Sequence, residues 1–295
     1  MSTDITIDPA HTTAVAQPGL LRSAMKLWRT RIGVALVVLL VGVAIVGPWV
    51  APYGPAEFVG TANLSNVEGA WLGTDYFGQD VWSRFLHGGR SILFLASVAT
   101  LIGFFFGAAI GLVAAYNRGR IDDALMRFMD IILAFPQLLL ALVALTTVGP
   151  QSWLIIAIVA FTTIPRIARI TRGAAVPVVE RDFIGAAEAL GESRLRIITR
   201  ELLPNVTGPL LVEANLRLTY SIGIIAGLGF LGFATERNAA DWGLMVQENR
   251  VALSVQPWGT VLPAVAIALL TIGTGLISDG LARTVAGIDR GRPDA

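Results

Sequence analysis

The residues that could do chemistry are few, and their spacing excludes most kinds of active site. Lys26 is the only lysine, and no glycine-rich loop precedes it, although a phosphate-binding P-loop needs Gly-x-x-x-x-Gly-Lys-Ser/Thr. The two histidines, His11 and His87, are far apart in sequence, and the absence of cysteine excludes disulfides and thiolate metal sites. Neither His-Glu-x-x-His nor Gly-x-Ser-x-Gly occurs. We therefore predict a non-catalytic chain that binds no cofactor or metal, so any ATP-driven work must come from a partner.

Charged residues near the ends of apolar segments come in pairs. Glu213 and Arg217 stand four residues apart, and Arg127 and Asp130 stand three apart. On a helix both spacings bring the side chains together. Pairing lowers the cost of about 2.5–3.5 kcal/mol for an isolated charge at the bilayer centre. We interpret both pairs as structural, and a place for Glu213 on a substrate path is the alternative.

A charged island at residues 180–205 is the most distinctive segment of the chain, because long uncharged stretches flank it. Gly191 lies where the end of a helix favours a left-handed residue. A second helical pattern follows it, and Pro204 is expected to stop that pattern. The island is thus predicted to be a helix–turn–helix held outside a membrane for a partner to bind. A helix resting on lipid headgroups is the alternative. Before the turn, apolar residues recur at i, i+3, i+4 and i+7, and these are Phe183, Ala186, Ala187 and Leu190.

The composition is that of an integral membrane protein. Hydrophobic residues make up 54% of the 295 residues, charged residues 15%, and the mean hydropathy is +0.67. A soluble domain would carry roughly a quarter charged residues. The net charge of +1 gives no indication of nucleic-acid binding.

The uncharged runs predict six transmembrane helices of about the length a bilayer requires. A five-span arrangement with a re-entrant segment is the alternative. Lys26 and most of the arginines, including those of the charged island, fall on one side of this topology. The positive-inside rule then makes that side and both termini cytoplasmic. The six helices are predicted near residues 32–50, 92–116, 125–148, 153–170, 209–233 and 258–281.

This topology divides the chain into three parts. We predict a disordered cytoplasmic tail at 1–24, a first helix with an external interfacial segment at 25–90, and a transmembrane domain at 91–290. Within the external part, residues 71–93 match no EF-hand spacing and are predicted to lie on the membrane as an amphipathic segment. The last external loop, 233–259, could dock a soluble partner or cover a pore mouth, or it could be a re-entrant helix.

Glycines repeat at four-residue intervals in two of the predicted helices. They are Gly103, Gly107 and Gly111 in the second helix and Gly223 and Gly227 in the fifth. Such a face lets two helix backbones approach closely in lipid. Packing within the chain, a subunit interface and a sliding surface all fit this pattern.

Two motifs resemble one known family. Ala186-Ala187-x-x-x-Gly191, followed by Leu203-Pro204, resembles the EAA loop of permease subunits in binding-protein-dependent ABC importers. Residues 72–84, LGTDYFGQDVWSR, resemble the LGTDxxGRDxxSR signature of the dipeptide/oligopeptide/nickel branch. The chain is most similar to the "C"-type peptide permeases of that branch, over about residues 25–290. It departs from the pattern at Gly185, where the family has glutamate, and at Gln79, where arginine is usual.

The resemblance implies an all-α integral membrane protein with six transmembrane helices and a cytoplasmic EAA-type coupling helix between helices 4 and 5. It implies import of di- and oligopeptides across the cytoplasmic membrane by alternating access. The partners would be a second homologous permease, two cytoplasmic ATPase subunits or one fused ATPase, and an extracytoplasmic substrate-binding protein, with ATP and Mg²⁺ on the ATPases. The implied coupling residues are Phe183, Gly185, Ala186, Ala187, Glu188, Leu190 and Gly191.

Other functions are compatible with parts of the sequence. A permease for nickel or another small solute would share the same motifs. A stand-alone channel or secondary carrier would function without partners and would need no docking helix. A membrane enzyme is disfavoured because the predicted spans contain no catalytic constellation.

Overall fold

The computed structural model describes residues 20–65, 67–234 and 240–287. These ranges are mainly helical, as expected of a chain that crosses a membrane, where the backbone must satisfy its N–H and C=O groups internally. Residues 1–19 of the predicted disordered tail lie outside the described residues, and the tail's last five residues form a short helix. The α-helices are α1 (Leu20–Ala24), α2 (Trp28–Val50), α3 (Val81–Asn117), α4 (Gly119–Leu133), α5 (Gln137–Val148), α6 (Ser152–Val179), α7 (Asp182–Ala189), α8 (Arg194–Arg196), α9 (Leu203–Phe230), α10 (Trp242–Asn249) and α11 (Trp258–Ala286).

Among the described residues, four helices are long and apolar enough to cross a membrane, namely α2, α3, α6 and α11. The pair α4 and α5 would add a fifth span, but it is bent by 70°. The prediction of one helix at 125–148 is therefore wrong. The break lies just before Pro136, which has no N–H and disfavours a helical conformation in the preceding residue. Because α9 does not meet the same criterion, the count of six spans stays a prediction.

Two other predicted helices are longer than expected. α3 begins at Val81 rather than near residue 92, because the Asp80 side chain caps it by accepting hydrogen bonds from the Ser83 N–H at 2.8 Å and the Ser83 hydroxyl at 2.6 Å. α6 continues past Pro165 to Val179. Proline is tolerated inside membrane helices, where neighbouring groups satisfy the freed carbonyl.

The helix after the charged island's turn does not stop at Pro204. Instead, α8 continues through a π-helical turn at Ile197–Leu202 directly into α9. Pro204 comes just after this π-helical turn, so the irregularity that a proline causes in a helix falls at the π-helical turn and does not end the helix. The second half of the island is therefore the foot of a long helix rather than a separate one.

Among the described residues, the most extensive contact between two helices joins α3 to α6, and it includes the first three predicted glycines. A Cβ at Gly111 would lie only 2.5 Å from the Ala168 carbonyl oxygen, and equivalent atoms at Gly103 and Gly107 would also meet α6. These glycines therefore pack within the chain. Gly223 and Gly227 differ, because a Cβ at either would meet no described atom within 4 Å. We call the first contact the glycine seam (Gly103, Gly107 and Gly111 against α6).

A buried ion cluster orders the end of the bundle at which α3 begins. The Arg84 guanidinium contacts Asp75 and lies 2.8 Å from Glu248 Oε2, and the three side chains are only 1%, 0% and 8% exposed. Asp75 also accepts backbone N–H bonds of 2.9 Å from Phe77 and Gln79. Burial raises the pKa of Glu248, although the Arg84 charge opposes that shift. Residues 81–93 of the segment predicted to lie on the membrane form the first turns of α3 instead, and the membrane contact of residues 71–80 stays a prediction.

The last predicted external loop, 233–259, contributes to the same end of the bundle. Its residues 235–239 lie outside the described residues, but α10 is buried against α3, α9 and α11. The Trp242 indole N–H donates to the Phe85 carbonyl at 2.9 Å, and Asn249 Oδ1 accepts from the Tyr76 N–H at 2.9 Å. We call this assembly the Arg84 cap (residues 52–65, 67–80 and 240–256).

We predict that Gly111→Ala destabilises the protein by about 1–3 kcal/mol, because the added methyl forces α3 away from α6. Gly173→Ala is the matched control, since a Cβ there meets nothing within 4 Å and alanine favours the helix. Thermal unfolding midpoints of the purified proteins in detergent measure the difference. Equal midpoints for the two variants would contradict the glycine seam.

We predict that Arg84→Met destabilises the protein by about 3–5 kcal/mol, because it leaves Asp75 and Glu248 buried without their cation. Arg250→Met removes an exposed arginine of the same cap and should change the unfolding midpoint little. The same thermal measurement applies. An Arg84 variant as stable as the Arg250 variant would show that the cluster does not hold the cap together.

Candidate functional site

The candidate site is the charged island, which centres on α7 and lies at the opposite end of α3 from the Arg84 cap. Tyr116, near the end of α3, contacts Glu188 of α7. From the helical rise, Tyr116 is on the order of 50 Å from Arg84. α3 therefore links the two ordered ends of the bundle as one uninterrupted helix.

A left-handed glycine turn ends α7, at the position predicted from the sequence. Gly191 has φ +78°, its N–H donates to the Glu188 carbonyl at 3.0 Å, and the Glu192 N–H donates to the Ala187 carbonyl at 3.1 Å. These bonds satisfy carbonyls that the helix end would otherwise leave free. The turn connects α7 to α8.

α7 has one face against its own chain and one open face. Ile184 anchors the inner face and is only 2% exposed. The open face carries the apolar residues predicted from the periodicity, with Phe183 37% and Leu190 84% exposed. Of the predicted coupling residues, Ala187 is half-buried, whereas Phe183, Gly185, Ala186, Glu188, Leu190 and Gly191 are exposed.

Three consecutive residues at the end of α3 hold the island from its inner side. The Tyr116 hydroxyl donates to Glu188 Oε1 at 2.8 Å. Arg118 lies 3.3 Å from Glu180, just before α7. Arg194, just after the turn, donates to Asn117 Oδ1 at 3.4 Å. Sequence reasoning missed these contacts because no local spacing marks partners that lie 72 or 77 residues apart. We call the three contacts the α3 clamp (Tyr116–Glu188, Arg118–Glu180 and Asn117–Arg194).

The two predicted charge pairs have different outcomes. Glu213 and Arg217 form an ion pair at 2.8 Å with both side chains nearly buried. The pairing of Arg127 with Asp130 is wrong, because Asp130 instead contacts Arg169 of α6. Asp130 and Arg169 lie on facing helices, so the tertiary contact prevails over the i, i+3 neighbour. Among the described residues, no group of three or more His, Cys, Asp and Glu could hold a metal ion.

An exposed apolar helix clamped to the end of a membrane bundle is suited to bind another protein rather than to catalyse a reaction. Residues 107–286 match the binding-protein-dependent transport system inner membrane component family. The chain belongs to this family. The match spans the end of α3, the α3 clamp, α7 and most of the bundle, and it confirms the resemblance inferred from the sequence motifs. Membership makes the chain a multi-pass transport permease and implies an ATPase and a substrate-binding protein as partners.

Relatives that are named as peptide or glutathione transport permeases match this permease over most of their length. The di/tripeptide transport system permease protein of Pseudomonas aeruginosa is 35% identical, over 84% of either chain. The dipeptide transport system permease protein of Alkalihalophilus pseudofirmus is 32% identical, over 85% of this chain and 83% of its own. The glutathione transport system permease protein of Escherichia coli O6:K15:H31 is 35% identical, over 83% and 82%.

Solved structures agree with the fold. The methionine ABC transporter MetNI, in an inward-facing conformation, aligns with a TM-score of 0.53 over 67% of this permease and 96% of the matched chain. The sequence identity is 19%, so this likeness concerns the fold alone.

Proposed function

We propose that this permease is the membrane subunit of an ATP-driven importer of di- and oligopeptides, and that α7 is the coupling helix that binds its ATPase. The uncovered apolar face of α7, fixed from behind by Ile184 and the α3 clamp, is the observation that carries the proposal. The substrate class rests on the relatives, which are named for dipeptides, di/tripeptides and glutathione. All of these are short peptides or peptide-like molecules.

The chemistry of α7 favours a protein partner over lipid headgroups. Helices that lie on membranes usually carry lysine or arginine on their polar face. α7 has the sequence DFIGAAEA, with two acids and no base, so anionic headgroups would repel it. Gly185 and Ala186 on the open face allow close approach, and Phe183 supplies an apolar side chain that a cleft could enclose.

We place the α7 end in the cytoplasm and the Arg84 cap outside. The arginines concentrate in the segments at the α7 end, as the positive-inside rule requires of a cytoplasmic surface. The first and last described segments belong to that end as well. A Cβ at Gly208, near the foot of α9, would lie 3.5 Å from Leu20 and 3.3 Å from Val285. This arrangement needs six spans, and α9 would be the fifth. The charges of Glu213 and Arg217 within α9 would neutralise each other.

In the proposed mechanism, ATP binding closes the ATPase subunits, and their movement is transferred through α7 to the membrane helices. The permease would pair with a second homologous permease and two ATPase subunits or one fused ATPase, and it would receive peptides from an external binding protein. ATP and Mg²⁺ would be bound by the ATPases. The open glycines of α9, Gly223 and Gly227, would face the second permease. A stand-alone channel or carrier would have no use for the open face of α7.

Phe183→Asp should lower the amount of ATPase that co-purifies with this permease at least about tenfold, because central apolar anchors typically carry about 2 kcal/mol or more of binding free energy. Val251→Asp is the matched control, since Val251 is 77% exposed on the Arg84 cap. The measurement is the ATPase-to-permease ratio after affinity purification from membranes. An unchanged ratio for Phe183→Asp, with normal membrane insertion, would refute docking through α7.

A further inference from the structure

The residue of α7 that is bonded to the membrane helices is Glu188. It lies one turn after the anchoring Ile184, and its Oε1 accepts the Tyr116 hydroxyl at 2.8 Å. Gly185, the next residue after Ile184, lies on the open face, and a Cβ there would meet nothing within 4 Å. Of the two acids of α7, Glu188 thus contacts the permease's own α3, and Gly185 leaves the open face without a charge at its position.

Without such a contact, α7 would be poorly coupled to the bundle. A turn at Glu180 and Arg181 precedes the helix, and the left-handed turn at Gly191 follows it. A short helix between two turns can pivot when it is pushed, so a displacement of its open face need not move the rest of the chain. Ile184 resists this movement by packing. The Tyr116–Glu188 hydrogen bond adds a directional contact one turn further along α7.

The other two contacts of the α3 clamp lie on either side of this bond. Glu180 is bound before α7 and Arg194 after it, both by residues that directly follow Tyr116 in sequence. Arg118 itself has the backbone angles φ 48° and ψ 178°, which a non-glycine residue keeps only when its surroundings hold it there. The end of α3 is therefore held in one arrangement against both borders of α7.

α3 is also the helix through which a displacement would travel furthest. It is continuous from the α3 clamp to Arg84, and the glycine seam fixes it against α6. A movement transferred to Tyr116 would therefore move α3 and α6 together and reach the Arg84 cap on the opposite side of the membrane.

We propose that Glu188 is a positioning residue for coupling, and that its hydrogen bond with Tyr116 transfers the displacement of α7 to α3. This inference rests on the proposed function, since it assumes that an ATPase moves α7. It goes beyond docking, because it assigns Glu188 to the contact between α7 and α3, behind the docking face, and not to the contact with the ATPase.

The test uses the whole complex in nanodiscs, together with its binding protein purified with the peptide it carries. The readouts are the ATPase-to-permease ratio and the stimulation of ATP hydrolysis by the loaded binding protein. Tyr116→Phe and Glu188→Ala should keep the ratio within about twofold and lose about tenfold in stimulation, as expected for a lost hydrogen bond to a charged group. Glu188→Gln keeps an acceptor oxygen and should restore most of the stimulation.

Two further variants distinguish the loss of the Tyr116–Glu188 hydrogen bond from a general loss of stability. Glu192→Ala removes the next acid along the chain. The Glu192 side chain contacts no partner among the described residues, so this variant should keep the wild-type ATPase ratio and stimulation. The double variant Tyr116→Phe/Glu188→Ala should lose no more stimulation than either single variant, because both remove the same bond.

Each other result contradicts the proposal in a distinguishable way. If Glu188→Ala lowers the ATPase-to-permease ratio, Glu188 is a docking contact. That result refutes its proposed role in transferring movement to α3 but supports docking through α7. If the ratio and the stimulation are both unchanged, the bond does not transfer movement. If the wild-type permease retains no ATPase at all, the proposed function itself fails.

Discussion

The close backbone contact between α3 and α6 is the constraint on which the rest of the structure depends. At Gly111 even a methyl group would overlap the carbonyl of Ala168, so the two helices touch along their backbones. α7 follows directly from α6, whereas the α3 clamp comes from the end of α3. Only when the two helices lie side by side do Tyr116 and its neighbours reach Glu188. The glycine seam thus determines where the docking helix is held.

Polar contacts order this bundle mainly at its ends and at a few points between helices. Arg84 joins three segments at one end, and Tyr116 and its neighbours bind the island at the other. Between the ends, Thr100 donates to Ser221 at 3.0 Å, which links α3 to α9. Asn215 donates to the Thr274 carbonyl at 2.7 Å and to Ser278 at 2.6 Å, which links α9 to α11. In lipid, such bonds and close packing replace the hydrophobic effect as the forces between helices.

The sequence predicted the features that rest on local periodicity. The membrane class, the short helix with its turn at Gly191, and the family followed from composition, four-residue spacing and two motifs. Tertiary partners were not predictable, because Arg84 and Glu248 lie 164 residues apart and no motif connects them. Proline gave two errors for opposite reasons. Pro136 breaks a predicted span because the residue before it leaves the helix, whereas Pro204 follows a π-helical turn that lets the helix continue past it.

The central claim is that the open face of α7 is covered by an ATPase in the assembled importer. The chain contains no cysteine, so a single cysteine at Ala186 can carry a photo-cross-linker without background. A cysteine at Val113, exposed on the membrane part of α3, is the comparison. We predict an adduct with the ATPase subunit from Ala186 and lipid adducts alone from Val113. Lipid adducts alone from both positions would contradict the claim and leave α7 as a helix resting on the membrane.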